Sequence, residues 1–249
     1  MPELPDIEAY IAALRPRIMS QPIQRLRILG PSILRTFEPS IETAEGRVVG
    51  DLSRIGKRIV LHLDGPGELA VVIHLMIAGR FQWKEVGAKP PGKITSAVFA
   101  FPSGTLILTE AGTKKRAQLH LVSGKAALAA HDPGGIDIYS CSEAAFAAAL
   151  RRENHTIKRT LTDPRILSGI GNAFSDEILH AAKMSPIKMT SKLTDEEIWV
   201  RAARTCWLTR HCVPGSLRND SGGRRPLRLR VIYPSRPNDY GCGDSPAPQ

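Results

Sequence analysis

The apolar residues of this chain change period once along its length, and that change limits the folds open to it. Residues 23–29 and 57–63 alternate apolar and polar side chains, with Ile59, Leu61 and Leu63 on one face, as half-buried strands require. Residues 69–75 form a nearly continuous apolar run that suits a buried strand, and residues 94–101 and 105–109 read as a hairpin turning at Pro102-Ser103-Gly104. From about residue 143 the period becomes helical: residues 143–152 are Ala-rich, residues 156–161 form a short helix, and residues 172–183 place Phe174, Ile178 and Ala181 on one side. Thr194 followed by Glu197 is a capping box that predicts a helix to about Thr205. Ahead of the strands, Ile7, Tyr10, Ile11 and Leu14 make a helical stripe that Pro16 is expected to stop. The pattern predicts an α+β protein with an N-terminal helix, a β-rich half and a helical half. A catalytic domain is expected over 1–131 and a helical domain over 136–206, linked near His131-Asp132-Pro133-Gly134-Gly135.

Residues 207–249 break from this pattern. They hold six Pro, five Gly and seven Arg, with no Lys and no Glu. Two readings stand: an irregular, flexible basic tail, or out-of-frame translation of a GC-rich gene. The four cysteines, Cys141, Cys206, Cys212 and Cys242, form no C-x-x-C pair, so no zinc site and no metal ligands are recognisable. The 249 residues carry a net charge of +10, which favours a polyanionic partner, above all nucleic acid. No apolar run reaches the length of a membrane span, and acids rather than an apolar segment follow Met1, so a cytoplasmic protein is expected.

Several residues could carry chemistry. Loss of Met1 would leave Pro2 with a free secondary amine; α-amino groups titrate near 7.7–8.0, so a useful share is neutral and nucleophilic at physiological pH. Glu3 beside it could move protons, although acids in a first helical turn also answer the helix dipole. Lys57 follows Gly56 ahead of a strand, where it could reach a phosphate or donate a proton, or face solvent as an ordinary turn lysine. Gly169-Ile170-Gly171-Asn172 leads into a helix that Asn172 could cap, and N–H groups at such a start suit an anion. Lys115, within Thr113-Lys114-Lys115-Arg116, and Lys158 are candidate phosphate contacts. His74 lies in an apolar run and reads first as a core histidine.

Four of these segments together resemble the formamidopyrimidine-DNA glycosylase and endonuclease VIII family. Pro2-Glu3-Leu4-Pro5-Asp6 is similar to its N-terminal signature, and Gly56-Lys57-Arg58-Ile59 to its hairpin lysine. His74-Leu75-Met76-Ile77-Ala78-Gly79 and residues 168–179 resemble its HLGMSG segment and its helix-two-turn-helix core. The resemblance covers residues 1–206 and implies an N-terminal helix on a two-layer β-sandwich, followed by a helical domain with a helix-two-turn-helix. It implies base-excision repair of damaged double-stranded DNA with the base flipped out of the stack. Pro2 would attack the sugar C1′ to form an imine, Glu3 would handle protons at the sugar, and β- then δ-elimination would cut the strand. Lys57 would contact phosphate and assist proton transfer. Asn172 would bind backbone beside the lesion, with Gly169, Gly171, His74, Ile77, Lys115 and Lys158 as further DNA contacts. A monomer with no membrane partner is expected.

The departures are informative. Asp6 stands where the signature has a second Glu, Ile77 stands where lesion readers insert a Met, and residues 110–117 replace an Arg-Phe segment. Zinc is usual in the family, but its four-cysteine C-terminal finger is absent here, with Cys242 alone in that region. The alternative to an active glycosylase/lyase is therefore a catalytically feeble remnant that binds damaged DNA. A structured-RNA binder is a third reading, which Pro2, Glu3 and Lys57 oppose because RNA binding needs none of them.

Overall fold

The computed structural model describes residues 1–198. In chain order its elements are α1 (Leu4–Ile18), β1 (Arg25–Ile28), β2 (Val49–Ile55), β3 (Arg58–Leu63), β4 (Leu69–His74), β5 (Gly79–Lys84), β6 (Thr95–Phe101), β7 (Gly104–Glu110), β8 (Gln118–Ser123), α2 (Lys125–Ala129), β9 (Ile136–Asp137), α3 (Glu143–Arg151), α4 (Ile157–Thr162), β10 (Leu167–Ser168) and α5 (Asn172–Ala181). Two four-stranded antiparallel sheets, ordered β1-β6-β7-β5 and β2-β3-β4-β8, share one apolar core. Period-two alternation explains the arrangement: Ile59, Leu61 and Leu63 of β3 and Val71 and Ile73 of β4 point inward to meet Phe99, Leu106 and Leu108 from the other sheet. The α1 stripe of Ile7, Tyr10, Ile11 and Leu14 closes the same core. The hairpin expected at residues 102–104 joins β6 and β7, with Phe101 opposite Gly104.

Pro16 does not stop α1, which continues to Ile18 with the proline inside its last turn. So close to the end, the proline forfeits one hydrogen bond to the carbonyl of Ala12, an exposed residue. Met19 N–H donates to the Arg15 carbonyl, and the Arg17 guanidinium donates to the Ala13 carbonyl at 2.5 Å.

The helical half has its own core of Phe146, Leu150, Ile157, Leu161, Phe174 and Ile178. Ser142 caps α3, its hydroxyl accepting from Ala145 N–H at 3.2 Å. In α5 the buried stripe runs Phe174, Ile178, Ala182, at i+4 spacing; Ala181, expected on that side, is exposed. The Thr194–Glu197 capping box forms, with Glu197 N–H donating to Thr194 Oγ1 at 3.2 Å and Thr194 N–H to Glu197 Oε2 at 3.0 Å. The helix expected beyond it, the 207–249 tail, and Cys206, Cys212 and Cys242 lie outside the described residues. The halves are joined by residues 130–135, and the short parallel pair of β9 with β10 lies within the helical half.

Candidate active site

The head of the chain lies across both halves. Glu3 is the N-cap of α1, and its N–H donates to Asp6 Oδ2 at 2.9 Å. Its own carboxylate points away, into the start of α5. There it accepts N–H bonds from Gly171 at 2.8 Å, Ala173 at 3.1 Å and Phe174 at 3.0 Å. The side chain is buried, and the donors and the positive end of the helix dipole together suit its charge. The anion that these N–H groups hold is thus the chain's own carboxylate. This also replaces the cap expected of Asn172: Gly171 is the N-cap, and Asn172 is the exposed first residue of α5, free of a capping role because Glu3 takes the donors.

The two glycines make this approach possible. A Cβ at Gly171 would lie 2.5 Å from the Glu3 carboxyl carbon. Gly169 has φ +93° and its Cβ would lie 2.9 Å from Leu4 Cδ1. Leu4 donates its N–H to the Gly169 carbonyl at 3.1 Å and buries its side chain in the helical core.

Lys57 arrives from the β2–β3 turn. Gly56, in the left-handed region at φ +58°, makes that turn against β10, where its Cβ would lie 3.4 Å from Ser168 Oγ. Burial lowers the Lys57 ammonium from the ordinary lysine range, and the charge of Glu3 partly opposes that shift. Pro2 is buried beside Glu3, while Met1 is exposed. Burial raises the Asp6 carboxyl; the Glu3 hydrogen bond and the charges of Arg80 and the chain terminus oppose it.

Sequence reasoning missed Arg54. Its guanidinium donates to Asp137 Oδ1 and Oδ2 at 2.8 and 2.7 Å, pairs with Glu8 of α1, and lies 5.3 Å from the Tyr139 ring centroid. With its side chain only 10% exposed, Arg54 ties β2, α1 and β9 together beneath the site. The signal was present: alternation puts Arg54 on the face of Leu52, opposite core residue Ile59, where a charge needs a partner.

The other candidates lie at the end of β4, in the loops after β4 and β7, and on α4. His74 ends β4, opposite Arg58 of β3. Burial, then Arg58, Lys57 and His120, push its pKa down to about 4, so it is neutral at pH 7. It is half-buried rather than a core residue. Ile77 follows Met76, held at φ +52°, and is 51% exposed at the loop tip, with the Arg80 guanidinium donating to its carbonyl at 3.2 Å. Lys115 is exposed and donates to the Glu110 carbonyl, while the buried Glu110 carboxylate accepts from Arg116 N–H at 2.8 Å. Lys158 of α4 pairs with Asp176 of α5 at 2.6 Å, beside exposed Asn172. Among the described residues no group of three His, Cys, Asp or Glu could hold a metal, and no helix is long and apolar enough to cross a membrane.

A β-sandwich whose N-terminal helix feeds an acidic residue into the start of a helix in the helical half defines a two-part α+β protein. Residues 1–118 match the formamidopyrimidine-DNA glycosylase N-terminal domain, and residues 137–214 match that family's H2TH domain. The formamidopyrimidine-DNA glycosylase of Moorella thermoacetica is 33% identical over 205 residues, spanning 80% of this chain and 73% of the relative. That of Heliobacterium modesticaldum is 33% identical over 208 residues, spanning 79% and 73%. Among solved structures, the wild-type Lactococcus lactis Fpg (MutM) bound to DNA containing an oxidised pyrimidine superposes with a TM-score of 0.75 at 25% identity, covering 85% of this chain and 80% of that one. The Lactococcus lactis Fpg complex with abasic-site DNA shares the fold at the same TM-score of 0.75 and 24% identity, covering 85% and 78%. This chain belongs to the formamidopyrimidine-DNA glycosylase family.

Proposed function

We propose that this chain excises oxidised or ring-opened bases from double-stranded DNA and then cleaves the strand. With Met1 removed, the Pro2 amine bonds to the sugar C1′ as the glycosidic C–N bond breaks; the base leaves with a proton, and the opened sugar remains as an imine on Pro2. Glu3 moves protons at the sugar, and β- then δ-elimination release the 3′ and 5′ phosphates in turn. Lys57 and Asn172 hold phosphates beside the lesion, with His74, Ile77, Lys115 and Lys158 around them. Residues 1–131 and 136–206 act as the two lobes that close on the duplex.

The observation that carries this reading is the seating of Glu3, next to Pro2 in the chain, on the start of α5, with Lys57 close enough to feel its charge. The carboxylate is fixed by three N–H donors and Lys57 has its ammonium destabilised by burial, an arrangement suited to proton transfer. The second reading, a remnant that binds damaged DNA and cuts it feebly, is favoured by one observation: none of the four cysteines forms a C-x-x-C pair that could build a zinc finger.

Borohydride trapping decides between them. Duplexes bearing 8-oxoguanine, a ring-opened purine, an oxidised pyrimidine or an abasic site are incubated with the chain and reduced, with an N-terminally blocked form alongside. Lesion-dependent covalent adducts that vanish on blocking are expected. An adduct with abasic DNA alone supports the remnant, and no adduct despite tight binding overturns the enzyme reading.

A further inference from the structure

Besides His74, the outer face of the second sheet carries basic side chains that the site chemistry leaves unused. Alternation sends Ile59, Val71 and Leu119 into the core and turns Arg58, His74 and His120 outward. Arg58 lies opposite His74, and His74 opposite Gln118, two residues from His120 on the same face. His131, just past α2, packs edge-on against His120 with ring centroids 4.6 Å apart. Residues 34–36 extend the sheet beside β8: Leu34 pairs with Leu119, and Arg35 N–H donates to the Leu119 carbonyl at 2.9 Å, which places Arg35 next to His120. From Arg58 through β4 and β8 to Arg35 is three strand spacings, ~14 Å at ~4.8 Å each. That equals the axial rise of about four nucleotides on one strand.

We propose that Arg58, His74, His120, His131 and Arg35 form a track for the phosphodiester backbone of the DNA strand leading away from Lys57. The proposal rests on the DNA-repair reading above and adds to it a path for the strand and a proton linked to binding. Like charges gather here. Arg58, Lys57 and His120 act on His74; His131, Arg58 and Arg35 act on His120; and Arg58 acts on His131. One carboxylate, Asp132, answers Arg58. Burial and these neighbours lower all three imidazoles, His74 and His120 to about 4, so in the free protein they are neutral N–H donors at pH 7. A phosphate laid across them favours the charged form, so binding takes up protons and tightens as pH falls.

The test uses fluorescence anisotropy with a duplex carrying an uncleavable abasic-site analogue, read against salt and pH. Arg35→Gln with His120→Gln should weaken Kd about tenfold and lower the log Kd against log salt slope by about one, while Lys93→Gln in the turn before β6 changes neither. Wild-type affinity should rise between pH 7 and 5.5, and His120→Gln with His131→Gln should abolish the rise. In the unmutated protein, the NMR-detected pKa of His120 should climb when the duplex is added. Wild-type binding and trapping with unchanged variants and an unmoved His120 would overturn the track while leaving the repair reading intact. A wild type that binds no DNA would overturn both. A His120 pKa that answers inorganic phosphate but not the duplex would replace the track with a small-anion site.

Discussion

The two halves differ in how completely they close their own cores. The sandwich is sealed by inward-facing residues of its strands and by the α1 stripe, all from within residues 7–121. The helical half is not sealed by its own residues. Leu4, from the far end of the chain, fills its core, and Glu3 supplies the hydrogen-bond acceptor for the start of α5. One turn of α1 therefore serves both, with Leu4 in one core and Ile7 in the other. The contrast teaches that the site is a by-product of this borrowing: its carboxylate is placed by the same contacts that complete the smaller half.

The most damaging way to test this dependence is Gly171→Val. A side chain there would occupy the space of the Glu3 carboxyl, and displacement of a reacting group by about 1 Å can cost about 100-fold in rate. The borohydride-trapping rate should fall at least that far, while sandwich amides keep their exchange protection. Leu4→Ala should cost about 2–5 kcal/mol, the range for emptying a buried leucine site. Hydrogen exchange should show the loss in α4 and α5 rather than in β3 and β4; equal loss in both would erase the contrast between the halves. Arg54→Leu leaves Glu8 and Asp137 without their cation, and should cost about 2 kcal/mol, below the fully buried range because Asp137 keeps contact with water. Urea unfolding should then split into two transitions as the halves uncouple.

A further effect belongs to pH and to the sandwich. His74 has a folded pKa of about 4, below the usual value near 6.5, so between these values the unfolded chain holds more protons than the native one. Stability should fall as pH drops from about 6.5 towards 4 and level off below. His74→Gln should make that part of a Tm against pH curve shallower, with His120 supplying the slope that remains.

Much of the fold was legible because the alternation of β3, the apolar run of β4, the hairpin of β6 and β7, the Ala-rich α3 and the helical period of α5 are written plainly in the sequence. Pro16 misled because a proline in a last turn forfeits a single hydrogen bond, which local rules do not distinguish from a stop. At the site, Pro2, Glu3 and Lys57 were singled out from residue type and motif, but the seating of Glu3 on α5 was not visible, since Glu3 meets Gly171 across 168 positions. Asn172 was misassigned as a cap for the same reason: the true acceptor comes from the opposite end of the chain. Arg54 could have been found as a charge on an inward strand face. Its partner Asp137 could not, because β9 is two residues long and carries no period.

The Glu3–α5 contact also has a consequence for synthesis. The residues that would do the chemistry leave the ribosome well before the helical half, yet the carboxylate gains its seat only after Gly171, Ala173 and Phe174 have emerged and turned into helix. A nascent or prematurely terminated chain that lacks them carries the proline and the glutamate with no geometry to use them. Competence is thus withheld until translation has passed the helical half.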